Sequence, residues 1–165
     1  MYIVDAFEEK NLDKIIPVFI DYPFATLVSV HQQGPLISQL PLSYDRQGHC
    51  FYGHLARDNH HYECFSRQSQ LQVLFHGPQA YVSPVWYESP GVPTWNYVSV
   101  EVAGRVELIR DHELQYQLLQ KQLAQFDPEL QSSLLAGLPQ SRRQKMFEMI
   151  CGLGSISNRY RPNSN

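Results

Sequence analysis

The stretch from Phe75 to Tyr97, FHGPQAYVSPVWYESPGVPTWNY, concentrates Tyr81, Trp86, Tyr87, Trp95 and Tyr97 among Pro78, Pro84, Pro90 and Pro93. Aromatic side chains bring large apolar faces with a polar edge, and the Ser-Pro, Pro-Gly and Val-Pro steps impose turns. The run has neither the period of an amphipathic helix nor the unbroken alternation of a strand. It reads either as a surface shaped to hold a flat ligand or as an aromatic loop stapling a sheet. Other chemistries are poorly supplied. His54, His60, His61 and His76 match no standard zinc spacing, and no H-E-x-x-H pair is present, so no metal is expected. Ser83 precedes a proline and sits in no G-x-S-x-G elbow. The glycine-rich dinucleotide fingerprint and the P-loop are both missing, so a nucleotide-like cofactor would have to be held differently.

A second segment, Gly53-His54-Leu55-Ala56-Arg57-Asp58-Asn59, precedes the aromatic run. Together with Gly77-Pro78-Gln79-Ala80-Tyr81-Val82-Ser83-Pro84-Val85-Trp86-Tyr87 and Pro93-Thr94-Trp95-Asn96-Tyr97, it resembles the PaiB family of split-barrel proteins that bind flavin mononucleotide (FMN). Tyr22 to Val28 is similar to the family's opening HPFATLV, with Tyr22 in place of the histidine. The resemblance is strong over residues 1 to 110 and weak beyond. It implies an antiparallel, Greek-key-type FMN-binding split barrel with added helices, an FMN cofactor, and a homodimer with the flavin at the subunit interface. It also implies a role as a flavin-dependent oxidoreductase or a flavin-linked transcriptional regulator. Carried onto the matching positions, it assigns cofactor binding to His54, Arg57, Asn59, Tyr81, Ser83, Trp86, Thr94, Trp95 and Asn96. The family's terminal KLSQN-like motif is replaced by SISNRYRPN after Gly154, where Arg159 is the nearest counterpart. No catalytic residue is identified. The alternatives are a PaiB-like regulatory or interaction protein that binds flavin weakly or not at all, and a haem-binding split-barrel relative.

The residues can meet the demands of such a cofactor. A phosphate calls for charge-assisted donors, to which the fork of Arg57 beside Asn59 is suited. An isoalloxazine ring calls for aromatic contacts and amide hydrogen bonds at its edge, which Tyr81, Trp86, Trp95 and Asn96 offer.

Composition narrows the remaining possibilities. The chain has 165 residues, 43% of them hydrophobic, enough for one domain with a core, expected to span residues 1 to 165 with a helical part at about 111 to 151. Its formal net charge of −3 lacks the basic excess of most phosphate-backbone binders, so direct nucleic-acid binding is not expected, the local cluster Arg142, Arg143 and Lys145 notwithstanding. Cys50, Cys64 and Cys151 are too few and too scattered for a disulfide framework and read as reduced thiols. The start MYIVDAFEEK is no signal peptide and no apolar run is long enough to span a bilayer, which predicts a cytoplasmic protein without membrane partners.

The elements that must position these residues follow from periodicity. A helix is expected over 11 to 21 with Asn11 as N-cap and Pro17 kinking or shortening it. Strands are expected at 24 to 31, from Gly34-Pro35 to about Leu42, at Cys50 to His54 and at Leu71 to Phe75, with a helix from Asp58 to Arg67 capped by Asp58. Val98, Val100, Val102, Val106 and Leu108 fall on one parity of a strand over 98 to 109, interrupted by Gly104. Asp111 is expected to cap a helix carrying Leu114, Leu118, Leu119, Leu123 and Phe126 near helical spacing. A further helix starts at Pro128, another runs from a Ser141 cap to Ile150, and the polar tail is expected to fray.

Overall fold

The structure is a computed structural model that describes residues 3–31, 34–67, 70–130 and 137–164, with backbone alone at 66–67 and 155–164. It contains seven strands: β1 (Phe24–His31), β2 (Gly34–Pro41), β3 (Ser43–Asp45), β4 (Cys50–Ala56), β5 (Gln70–Val82), β6 (Thr94–Ile109) and β7 (Ile150–Ser164). They form one antiparallel sheet in the order β2-β1-β5-β6-β7-β4-β3. Among the described residues four full α-helices accompany it: α1 (Leu12–Asp21), α2 (His60–Arg67), α3 (His112–Phe126) and α4 (Gln140–Met149). The sheet curls until β4 passes β2 without pairing to it, so the barrel is split. A Cβ on Gly53 would stand 2.7 Å from Leu42 Cδ2 and 3.3 Å from the Pro41 carbonyl, and only glycine allows this approach.

Helix α1 plugs the barrel. Asn11 caps it by accepting from the Asp13 amide at 2.9 Å, and Ile15, Ile16, Val18 and Phe19 are buried. Pro17 does not shorten it, because the proline lies on the exposed side while the apolar stripe drives the helix on to Asp21. Phe19 meets Phe51 and Phe75 with ring centroids 4.8 Å away in each case, and Tyr44 at 5.2 Å. Leu27, Val73, Val100, Val102 and Leu153 complete this aromatic-centred core.

Several expectations need correcting. Strand β5 does not stop at Phe75 but continues to Val82. The register shift between His76 and Gln79 takes Pro78 out of the ladder, which lets the strand absorb a residue that cannot donate. Strand β6 begins at Thr94, so much of the aromatic run is hairpin. The interruption expected at Gly104 falls between Arg105 and Glu107 in the pairing of β6 with β7. The tail does not fray: its backbone pairs with β6 as far as Ser164. Asn59, not Asp58, caps α2, accepting from the His61 amide at 2.9 Å. The last helix starts at Gln140 behind Pro139, leaving Ser141 inside it. The helix expected from Pro128 falls largely on 131–136, outside the described residues.

The inward stripe of α3 also differs from expectation. Leu118 is buried, but so are Gln115 and Gln122, whereas Leu114 and Phe126 are exposed. The helix lies on the outer face of β7, where Gly152 opposite Ile109 and His54 lets it approach: a Cβ on Gly152 would stand 3.4 Å from Leu118 and 3.6 Å from Gln115. Backbone acceptors are present at this surface, so amides suit it better than leucines. Gln115 donates to the Ile109 carbonyl at 2.8 Å, and Gln122 to the Pro41 carbonyl at 3.4 Å.

Candidate functional site

The residues singled out from the sequence fall into two groups. The first stands where the β5–β6 hairpin leaves the barrel. Val82, Tyr81 and Ala80 pair with Thr94, Trp95 and Asn96. The Tyr81 and Trp95 rings lie 6.1 Å apart at 47°, and Trp95 Nε1 donates to Gln79 Oε1 at 3.3 Å. Ser83 caps the 3-10 turn Pro84–Trp86, accepting from the Val85 amide at 3.4 Å, and so sets the direction in which Trp86 projects. Trp86 is 68% exposed and Trp95 54%, a large cost in apolar hydration unless something covers them.

This platform continues along the outer face of the barrel. Val100 and Val102 point into the core, so Trp95, Tyr97, Ser99 and Glu101 share the opposite face of β6. Across from Ser99 stands His76, and Thr26 Oγ1 lies 3.3 Å from His76 Nε2. Gln39 Nε2 in turn donates to Thr26 Oγ1 at 3.3 Å. Aromatic rings therefore grade into a polar strip contributed by β2, β1 and β5.

The second group gathers around the exit of β4. The His54 ring lies under α3, where Nδ1 is 2.7 Å from Gln122 Oε1. Because the Gln122 amide nitrogen donates to Pro41, its oxygen accepts, and His54 carries the proton on Nδ1. Arg57 is clamped to the α4–β7 junction: its amide donates to the Met149 carbonyl at 2.9 Å and its Nε to the Ile150 carbonyl at 3.0 Å. Among the described residues its Nη groups make no hydrogen bond or ion pair, so the outer edge of the fork is available. Beside it Cys151 is fully buried, and burial pushes its thiol up while the Arg57 and Arg110 guanidinium charges pull the other way.

Asn59 is committed to structure. Besides capping α2 it exchanges hydrogen bonds with Ser38 at 3.0 and 3.2 Å, and Ser38 Oγ lies 2.7 Å from His61 Nδ1. Residue types alone did not reveal this buried polar knot, nor the hydrogen bonds of the Gln39 and Gln122 amides to Thr26 and His54; the helix expected from Asp58 had put Asn59 inside it rather than at its cap. Arg159 has its backbone opposite Ala103 in the β6–β7 ladder.

One chain does not bring the two groups together. The β6 ladder puts Trp95 at one end and Ile109, opposite Gly152 and through it His54, at the other. Fourteen residues at roughly 3.3 Å per residue make about 46 Å of straight strand, and even a right-angle bend midway leaves roughly 30 Å.

A family model described as "Putative FMN-binding domain" matches residues 1–155. The chain is 33% identical over 120 residues to "Protease synthase and sporulation protein PAI 2" of Bacillus subtilis (strain 168), covering 72% of this chain but only 58% of that protein's length. Among solved structures, the flavocytochrome Anf3 from Azotobacter vinelandii shares the fold with a TM-score of 0.78 at 14% identity, over 97% of this chain and 70% of that one. The FAD and heme binding protein from Mycobacterium smegmatis does so with a TM-score of 0.75 at 15% identity, over 96% and 73%.

Proposed function

The chain belongs to the FMN-binding domain family, and on that premise we propose that it is a homodimeric flavoprotein in which each FMN lies between the aromatic platform of one copy and the Arg57 region of the other. The observation that carries this reading is the separation of the two residue groups along β6, which a two-fold partner running the opposite way can close. The groups fit the cofactor's chemistry. Tyr81 and Trp95 offer ring faces and Asn96 an amide, while Arg57, held by two backbone carbonyls, presents the rest of its fork to a phosphate. A partner over the platform would also remove Trp86 and Trp95 from water.

In this arrangement Arg57 positions the phosphate, the aromatic pair orients the flat ring and excludes water, and His76, oriented by Thr26, offers a hydrogen bond beside it. Bound FMN would supply one- or two-electron transfer to a substrate reaching the open face, so an oxidoreductase is the favoured activity. A flavin-linked regulatory role, suggested by the name of the Bacillus subtilis relative, is the second reading. The names of the two structural neighbours make haem binding the third reading. The absorbance of protein purified without added cofactor separates flavin bands from a Soret band and from a bare apoprotein.

The test is a fluorescence titration of Arg57→Ala with FMN and with riboflavin. Losing a charge-assisted contact costs about 1.5–3 kcal/mol, so FMN is expected to weaken by roughly one to two decades while riboflavin hardly changes. Equal weakening of both ligands would make Arg57 a structural clamp and nothing more.

A further inference from the structure

Between α3 and α4 lies an open cleft of about 250 Å³ that shares no lining residue with either group, walled by His112, Glu113 and Tyr116 on one side and by Gln140, Arg143 and Phe147 on the other. We propose that this cleft is a binding site for a small aromatic carboxylate. The proposal does not depend on the flavin reading.

Three observations carry it. The first is an aromatic floor. Phe147, the buried residue of α4, meets Tyr116 edge-on with centroids 6.4 Å apart and His112 at 5.6 Å and 30°. Such walls accept a flat ring by edge or offset contacts. The second is Arg143. Its Nε is buried and has no hydrogen-bond partner among the described residues, and its guanidinium carbon lies 5.9 Å from the Tyr116 ring centroid. That Nε is closed to the cleft, so the part of Arg143 that lines it is what a ligand meets, and a planar carboxylate is the acceptor whose geometry matches a guanidinium. The amides of Gln140 and of Gln144, which also lines the cleft, are further donors within it.

The third is the charge balance. Helical geometry splits the basic run of α4, with Arg142 and Lys145 exposed and Arg143 turned into the cleft. Glu113 stands on the rim, where it accepts from Gln117 at 3.3 Å. The single guanidinium can balance the charge of a monoanion, whereas a dianion such as phosphate would keep an uncompensated charge near Glu113. The volume falls below the roughly 300–1,000 Å³ of sites for larger ligands, which limits the ligand to about one ring.

The experiment titrates the full chain with 4-fluorobenzoate, followed by fluorine NMR, and maps the backbone amides it perturbs. The result expected is saturable binding, with shifts at residues 112–116 and 140–147, at least about tenfold weakening by Arg143→Gln and none by Arg142→Gln. Absence of saturable binding, shifts confined to another region, or equal affinity in Arg143→Gln would overturn the proposal. So would displacement by an equal concentration of inorganic phosphate, which would mark an unselective anion site. Should Arg143→Gln lose its circular dichroism spectrum, the amide map of the unaltered chain decides between the same outcomes.

Discussion

His61 shows how one side chain ties this fold to pH. It is 1% exposed, stacked on Phe65 with centroids 5.0 Å apart, and hydrogen-bonded to Ser38. Burial pushes its imidazole below the ordinary value, with the Leu36 backbone opposing. On acidification the unfolded chain therefore takes up a proton at about pH 6.5 before the folded chain does. Stability contributed by neutral His61 is complete above that pH and is lost as pH falls, with a slope of up to about 1.4 kcal/mol per pH unit. Urea unfolding of the protein and of His61→Gln between neutral and mildly acidic pH should show the variant with the shallower slope. Parallel slopes would mean that His61 is protonated in the fold. The sequence disclosed His61 as one of a run of histidines and not as a buried group, because burial here depends on Ser38 and Asn59, which lie on different elements.

At the scale of elements, legibility followed local chemistry. The caps at Asn11 and Asp111 and the alternating valines of β6 are short-range signals, and each stands where its residues indicated. What was hidden depends on distant partners. The tail continues β7 because β6 offers it an unpaired edge, β4 pairing only with residues up to Ile156, and not because SNRYRPNS has strand composition. Helix α3 buries glutamines because backbone carbonyls lie beneath it. Gly53 tests this packing. Its Cβ position meets Leu42, Leu40 and the Pro41 carbonyl within 3.3 Å, and a backbone acceptor cannot turn aside as a side chain can. Gly53→Ala should destabilise by about 1–3 kcal/mol in chemical denaturation. A change within a few tenths of a kcal/mol would show that β2 and β4 yield freely at the split.

At the scale of the whole molecule, the split barrel of one chain holds the two groups of candidate residues apart along β6. The candidate ligand residues were legible as motifs, yet motifs carry no distances, and the separation of Trp95 from Arg57 became visible only with the register of β6. The account requires a partner copy, and light scattering should return 38.2 kDa, twice the 19.1 kDa of one chain. Shared sites can be tested more directly by complementation. Arg57→Ala and Trp95→Ala each impair every site in their own homodimers. When the two variants are co-expressed and pair at random, half of the dimers are mixed, and in each of these one site combines an intact Arg57 with an intact Trp95. Titration of the co-expressed mixture with FMN should then recover unaltered affinity in about one quarter of all sites. Recovery of none, with every site as weak as in the separate variants, would contradict the shared site and return FMN binding to a single chain.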